Sequence, residues 1–207
     1  MSNSNIVIID YGMGNLYSVQ YKLKKLFPDV IVSSSAEEIR NASKIILPGV
    51  GHFAVGMKNI IEKKLKDVLD YKALEEKIPV LGICLGMQLI TNYSEEGNVE
   101  GLGWIPGKTI RFEKEKLSGL KIPHMGWNNI TIDKNDSILN GLTNDDMFYF
   151  VHSYRVICEN NEDSLCSTEY GVKFSSGISK GNIYGFQFHP EKSHDSGLKI
   201  LKNFISI

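Results

Sequence analysis

Cys84 lies in the stretch Val80-Leu-Gly-Ile-Cys84-Leu-Gly-Met-Gln88, where an apolar run of strand character meets a cysteine bracketed by Gly82 and Gly86. Leu85, Leu89 and Ile90 then fall at helical spacing. A Gly-x-Cys-x-Gly between strand and helix is the thiol form of the nucleophile elbow, a sharp turn that exposes a strained side chain. A thiol so placed points at the N-terminus of the next helix, where the dipole favours a negative charge. An attacking thiol needs a base, and Phe186-Gln-Phe-His189-Pro-Glu191 offers one. Histidine titrates in the range that proton transfer requires, and a carboxylate two residues on can hold its second ring nitrogen. Nucleophile and base stand half the chain apart, so the fold must bring them together.

Acyl chemistry also needs donors for a developing oxyanion. Leu47-Pro-Gly49-Val50-Gly51-His-Phe53 follows a short strand and precedes a long helical pattern, and its glycines allow a turn whose N–H groups face a ligand. With Cys84 on a neighbouring loop, the N–H groups of Val50 and Leu85 are the expected donors. Asp10-Tyr-Gly-Met-Gly-Asn15 also follows a strand, but Tyr17 stands where a dinucleotide loop needs its third glycine. Cys84, Cys158 and Cys166 show no Cys-x-x-Cys pairing, and His52, His124, His152 and His194 have no ligand spacing. No metal, cofactor or disulfide framework is therefore expected, and most of these histidines read as exposed or satisfied in the core. Pro123-His-Met-Gly-Trp127-Asn puts a Met and a Trp into a turn-rich segment; exposed, it would anchor a partner.

The elements that must position these residues alternate in the first half. Ile6 to Ile9, Val30 to Val32, Lys44 to Leu47 and Ile78 to Ile83 read as buried strands. Between them, Asn15 caps a helix carrying Leu16, Val19, Leu23 and Leu26, and one long amphipathic helix is expected from Phe53 to Leu69. The second half reads as strands split by turns: Lys108 to Phe112, Trp127 to Ile132, Met147 to Val151, Arg155 to Cys158 and Ile183 to Phe188, then a helix with Leu198, Leu201, Phe204 and Ile205. The fold class is α/β, a mostly parallel doubly wound central sheet with an antiparallel β extension, in one domain over residues 1–207. In such sheets the site lies at the carboxyl ends of the strands. The chain's 207 residues, 42% hydrophobic, suffice for one full core, and a net charge of -1 gives no electrostatic case for nucleic acid or an anionic membrane. The first apolar run is too short for a signal peptide or a spanning helix, and cytoplasmic localisation is expected.

Together these blocks resemble the class I (triad-type) glutamine amidotransferases. Asp10 to Asn15, Pro48 to Phe53, Leu85 to Gln88, Pro123 to Asn128 and Gly185 to Lys192 further resemble the glutaminase subunits of the imidazole glycerol phosphate synthases. The resemblance implies that Cys84 attacks the glutamine side-chain amide, with His189 as acid and base and Glu191 orienting it. It further implies that Gly49, Gly51, Gln88 and Glu96 hold glutamine, with backbone from Ser153 and Tyr154. Ammonia would pass to a (β/α)8-barrel cyclase subunit in a heterodimer, with Asn15, Met125 and Trp127 at the interface. Arg155 follows His152-Ser-Tyr154, where other members often carry a second tyrosine. Other readings are a paralogous barrel that amidates a surface sugar, a non-catalytic scaffold subunit, and a peptidase or γ-glutamyl hydrolase on the same elbow. The intact Cys84, His189 and Glu191 argue against the scaffold; Gln88 and the Pro-His-Met-Gly-Trp-Asn block argue against the hydrolases.

Overall fold

The computed structural model describes residues 5–207. The first half runs β1 (Ile6–Ile9), α1 (Leu16–Lys24), β2 (Val30–Ser33), α2 (Ala36–Arg40), β3 (Lys44–Gly49), α3 (Phe53–Glu62), α4 (Lys66–Asp70), β4 (Val80–Cys84) and α5 (Leu85–Leu89). After it come β5 (Tyr93–Ser94), β6 (Val99–Glu100), β7 (Gly107–Arg111), β8 (His124–Asn129), β9 (Thr131–Ile132) and β10 (Met147–His152). The chain closes with β11 (Tyr154–Cys158), β12 (Ser164–Tyr170), β13 (Val172–Lys180), β14 (Ile183–Phe186) and α6 (His194–Ser206).

The main sheet is ordered β2-β1-β3-β4-β14-β13-β11-β7-β5-β6, with β12 and β9 joined through β13. Strands β2, β1, β3, β4 and β14 are mutually parallel. From β14 onward the pairs β14–β13, β13–β11 and β11–β7 are antiparallel. Strands β8 and β10 form a separate antiparallel ribbon. This is the doubly wound α/β core with an antiparallel extension expected from the sequence.

Alternation along β1 explains the layering. Ile6 and Ile8 pack with Val19 and Leu23 of α1 and Ile200, Leu201 and Phe204 of α6. Val7 and Ile9 face the other way, onto Phe53, Met57 and Ile60 of α3 and Val68 and Leu69 of α4. Strands buried on both faces are why these segments read as unbroken apolar runs.

Several segments differ from the sequence expectation. The strand expected from Trp127 to Ile132 is split into β8, paired with β10, and β9, paired with β12, and α2 is an addition. Three further differences have local causes. The long helix divides after Glu62: Lys64 takes φ 55°, its N–H donates to the Ile61 carbonyl (2.9 Å), and Leu65 N–H donates to the Ile60 carbonyl (2.9 Å). That is a Schellman ending with lysine in the left-handed position, and the apolar spacing slips there, from Ile60 to Leu65. Second, β12 and β13 form a hairpin that composition hides, because Ser167, Thr168, Ser176 and Ser179 are buried. Thr168 Oγ1 donates to Ser176 Oγ (2.8 Å) and Ser167 Oγ to Asp133 Oδ1 (3.0 Å), so these hydroxyls tolerate burial. Third, β14 stops at Phe186. Beyond it Gln187 N–H donates to the Ser176 carbonyl and His189 N–H to the Tyr149 carbonyl, both at 2.9 Å, which carries His189 towards β10.

Candidate active site

The carboxyl ends of β3, β4 and β14 bring Gly49, Cys84 and His189 to one edge of the sheet. In the ladder Gly49 lies opposite Cys84 and Ile83 opposite Phe186. Cys84 takes φ 53° and ψ −106°, a conformation costly for a side-chain-bearing residue. Close backbone contact holds it there. A Cβ on Gly86 would lie 1.7 Å from the Leu47 carbonyl oxygen, and one on Gly82 would lie 2.7 Å from the Gly86 carbonyl carbon. Only glycines let the elbow press against β3.

His189 and Glu191 are buried, and His189 Nδ1 lies 2.8 Å from Glu191 Oε1. A carboxylate only accepts, so Nδ1 carries the proton. The other ring nitrogen, Nε2, is buried with no conventional hydrogen-bond partner among the described residues and looks onto the Cys84 thiol. Burial opposes a charge on this ring, but interactions with Cys84 and then Glu191 outweigh it and raise its pKa to about 10. Thiol, imidazole and carboxylate are thus brought together at one end of the sheet.

A cavity of about 290 Å³ opens beside Cys84, lined by Val50, Gly51, Leu85, Gln88, Glu96, Ser153 and Tyr154, with Pro123, Val151 and His152 completing the wall. Of the residues expected to hold a substrate, Gly49 alone does not line it; this glycine is buried in β3, and the Tyr11 hydroxyl occupies the space a Cβ there would need. Glu96 Oε2 accepts from Phe53 N–H (2.7 Å) at the start of α3, which fixes the carboxylate and leaves its other oxygen for a ligand. The carbonyls of Ser153 and Tyr154 are both engaged within the protein: the first by Phe112 N–H (3.1 Å), the second by Gln88 Nε2 (3.2 Å) and His152 Nδ1 (2.7 Å).

Two residues that sequence reasoning passed over belong to the site. Gln187, fully buried, points Nε2 at Cys84 Sγ (3.7 Å) and accepts from Gln88 Nε2 at Oε1 (3.0 Å). Its signal was a lone amide between Phe186 and Phe188. Tyr11 is buried against Gly49 with no partner for its hydroxyl among the described residues, and burial raises its pKa far above the ordinary value. Arg155 is buried with Nε unpartnered among the described residues and its guanidinium 5.8 Å from the Phe112 ring centroid, a cation over an aromatic face.

Asn15, Met125 and Trp127 are exposed, and Asn15 Oδ1 caps α1 by accepting from Ser18 N–H (3.2 Å). Lys192 links them: it shares a small recess with Asn15, Gly49 and Glu191, and its Nζ lies 5.7 Å from the Tyr149 ring. Tyr149 in turn meets Trp127 edge-on at 6.1 Å, and Trp127 stacks on His194 at 5.0 Å. The three therefore share one surface behind the triad. The remaining histidines are satisfied locally: His52 caps α3, and His124 and His152 pair in the core at 3.0 Å. Cys158 and Cys166 are free thiols away from the cavity, both with pKa raised by burial, Cys166 to about 12. No cluster of potential metal ligands and no helix long and apolar enough to cross a membrane occurs among the described residues.

The model of the class-I glutamine amidotransferase family matches residues 7–207, and the chain belongs to that family. Solved structures agree on the fold: a glutamine amidotransferase superposes with a TM-score of 0.75 at 16% identity, covering 97% of this chain and 99% of that one. Among curated relatives, the imidazole glycerol phosphate synthase subunit HisH 2 of Methanococcus maripaludis is 52% identical, covering 97% of this chain and 98% of that protein. Subunit HisH of Methanosarcina acetivorans is 50% identical, covering 98% of each. Subunit HisH of Bdellovibrio bacteriovorus is 44% identical, covering 98% of this chain and all of its own.

Proposed function

We propose that this chain is the glutaminase subunit of imidazole glycerol phosphate synthase, a single amidotransferase domain that works in the cytoplasm. It hydrolyses glutamine and passes the ammonia to a (β/α)8-barrel cyclase subunit in histidine biosynthesis. The observation that carries this is the Cys84 cavity: a strained thiol shares its walls with residues suited to glutamine and has a His–Glu pair behind it. Full-length identity to the HisH subunits favours the histidine pathway over a sugar-amidating partner.

In this reading the Cys84 thiolate attacks the side-chain carbonyl carbon of glutamine, and the oxyanion is met by the N–H groups of Val50 and Leu85. His189, held cationic, donates from Nε2 to the leaving nitrogen, and ammonia departs. The neutral ring then takes a proton from water, which attacks the thioester; collapse releases glutamate and restores the thiolate. Glu191 holds the ring through Nδ1. Glu96 takes the substrate ammonium on its free oxygen, and Gly51, Gln88 and the backbone of Ser153 and Tyr154 frame the rest. Asn15, Met125 and Trp127 meet the cyclase on the surface behind the triad.

Replacing Cys84→Ala in the complex with the barrel subunit is the test. Glutamine-dependent turnover is expected to fall by roughly 10⁴-fold or more, while synthesis fed with free ammonia survives. Loss of both activities from an assembled complex would contradict this division of labour.

A further inference from the structure

Strand β8 has two faces with different contents. Met125 and Trp127 point outward and are exposed, whereas His124 is buried and Asn128 half-buried on the inner side. On that inner side the polar atoms form a chain whose direction is fixed from both ends. At one end, Asn128 Oδ1 accepts from Asn129 N–H (2.9 Å) and Asn128 Nδ2 donates to the Glu169 carbonyl (3.0 Å), which sets the amide's orientation. Its second Nδ2 proton is left for His124 Nε2, 3.4 Å away. His124 must then carry its proton on Nδ1, which lies 3.0 Å from His152 Nε2.

The opposite end gives the same answer. The Tyr154 carbonyl can only accept, so His152 Nδ1, 2.7 Å away, is an N–H, and a neutral His152 receives at Nε2. Both rings are therefore neutral and both carry the proton on Nδ1. Burial supports this by lowering His124 to about 4, and burial followed by the nearness of His124 lowers His152 to about 3. The Tyr154 carbonyl also accepts from Gln88 Nε2 (3.2 Å), which donates its other N–H to Gln187 Oε1 (3.0 Å), and Gln187 Nε2 donates to Cys84 Sγ (3.7 Å).

We infer that His124 and His152 are positioning residues for glutamine: an uncharged wire, one-way from Asn128 to the Tyr154 carbonyl, that fixes this carbonyl, and with it the Gln88 amide it accepts from, relative to the strand carrying Met125 and Trp127. His124 is absent from the cavity lining, yet it governs His152, Tyr154 and Gln88, which form it. The inference rests on the glutaminase reading of that cavity, and it makes the pocket wall and the outward-facing strand a single mechanical unit.

Two variants of His124 separate hydrogen bonding from packing. The ring is stacked between Phe150 (4.7 Å) and Tyr170 (4.0 Å), so His124→Phe keeps the stack and strands the His152 acceptor. His124→Asn keeps an N–H close to the Nδ1 position. In the assembled complex, His124→Phe is expected to lower kcat/KM for glutamine by about tenfold, mainly through KM, with ammonia-fed synthesis unchanged. His124→Asn should recover most of that loss. A His124→Phe enzyme within twofold of the parent, or a His124→Asn enzyme as impaired as His124→Phe, overturns the inference. Nitrogen chemical shifts of the imidazoles in the unmodified protein test the wire without activity: both rings should show the Nδ1–H tautomer at neutral pH, and an Nε2–H signal from either refutes it. A parent complex inert towards glutamine sinks the functional reading itself, whereas the ring tautomers report on the wire regardless.

Discussion

His189 gathers the site's electrostatics, because its charge is sustained by two neighbours against the cost of burial. Glu191→Gln keeps the shape and removes the carboxylate that favours the cation. The expected result is a fall in kcat of about 10²- to 10⁴-fold. Since the pair raises the ring's pKa, losing Glu191 lowers it, and the alkaline limb of the rate profile should move to lower pH. A pH–rate profile of the variant complex with that limb unmoved would show that Glu191 does not act through the ring's charge. At this scale the sequence was informative wherever the signal was local. Cys84 between two glycines and His189 two residues before Glu191 are short patterns with chemical meaning. Gln187 and the His124–His152 pair were not legible, because their contacts arise from strand register: His152 faces His124 only because β10 lies antiparallel on β8.

The elements that carry these residues differ in how far their sequences disclose them. Parallel strands β1, β3 and β4 are buried on both faces and read as apolar runs. Hairpin β12–β13 was missed because buried hydroxyls pair with one another, and the α3–α4 junction was missed because a lysine occupies the left-handed position usually filled by glycine. The elbow's glycines give a sharp contrast for experiment. Gly86→Ala must displace the Leu47 carbonyl, and a loss of more than about 3 kcal/mol, or no soluble protein, is expected from urea unfolding. Gly103 has φ +72° but open space around its Cβ position, so Gly103→Ala should cost only about 1–2 kcal/mol, the penalty of the left-handed conformation. Equal costs at the two sites would mean that the β3–elbow contact is looser than described.

Across the whole molecule, three buried histidines shape stability against pH. His124 and His152 have folded pKa values depressed to about 4 and about 3, so the unfolded chain binds more protons below its ordinary value of 6.5. Their contribution is complete above about pH 6.5 and is lost as pH falls through 4 and 3. His189, raised to about 10, has the opposite sign: its contribution is complete below 6.5 and is lost as pH rises through 10. Maximum stability is therefore expected near pH 6.5, with a steeper acid limb that His124→Phe flattens, measurable as urea midpoints from pH 4 to 9. An acid limb identical in that variant would separate His124 from the effect.

Sheet order has a consequence for synthesis. Strand β4 ends in the nucleophile, yet its neighbour β14 is the last strand in chain order. As the polypeptide leaves the ribosome, the thiol emerges long before the imidazole, and the middle of the sheet stays open until the final strand slots between β4 and β13. A growing chain thus holds its cysteine without a base, and the completed sheet is what switches the chemistry on.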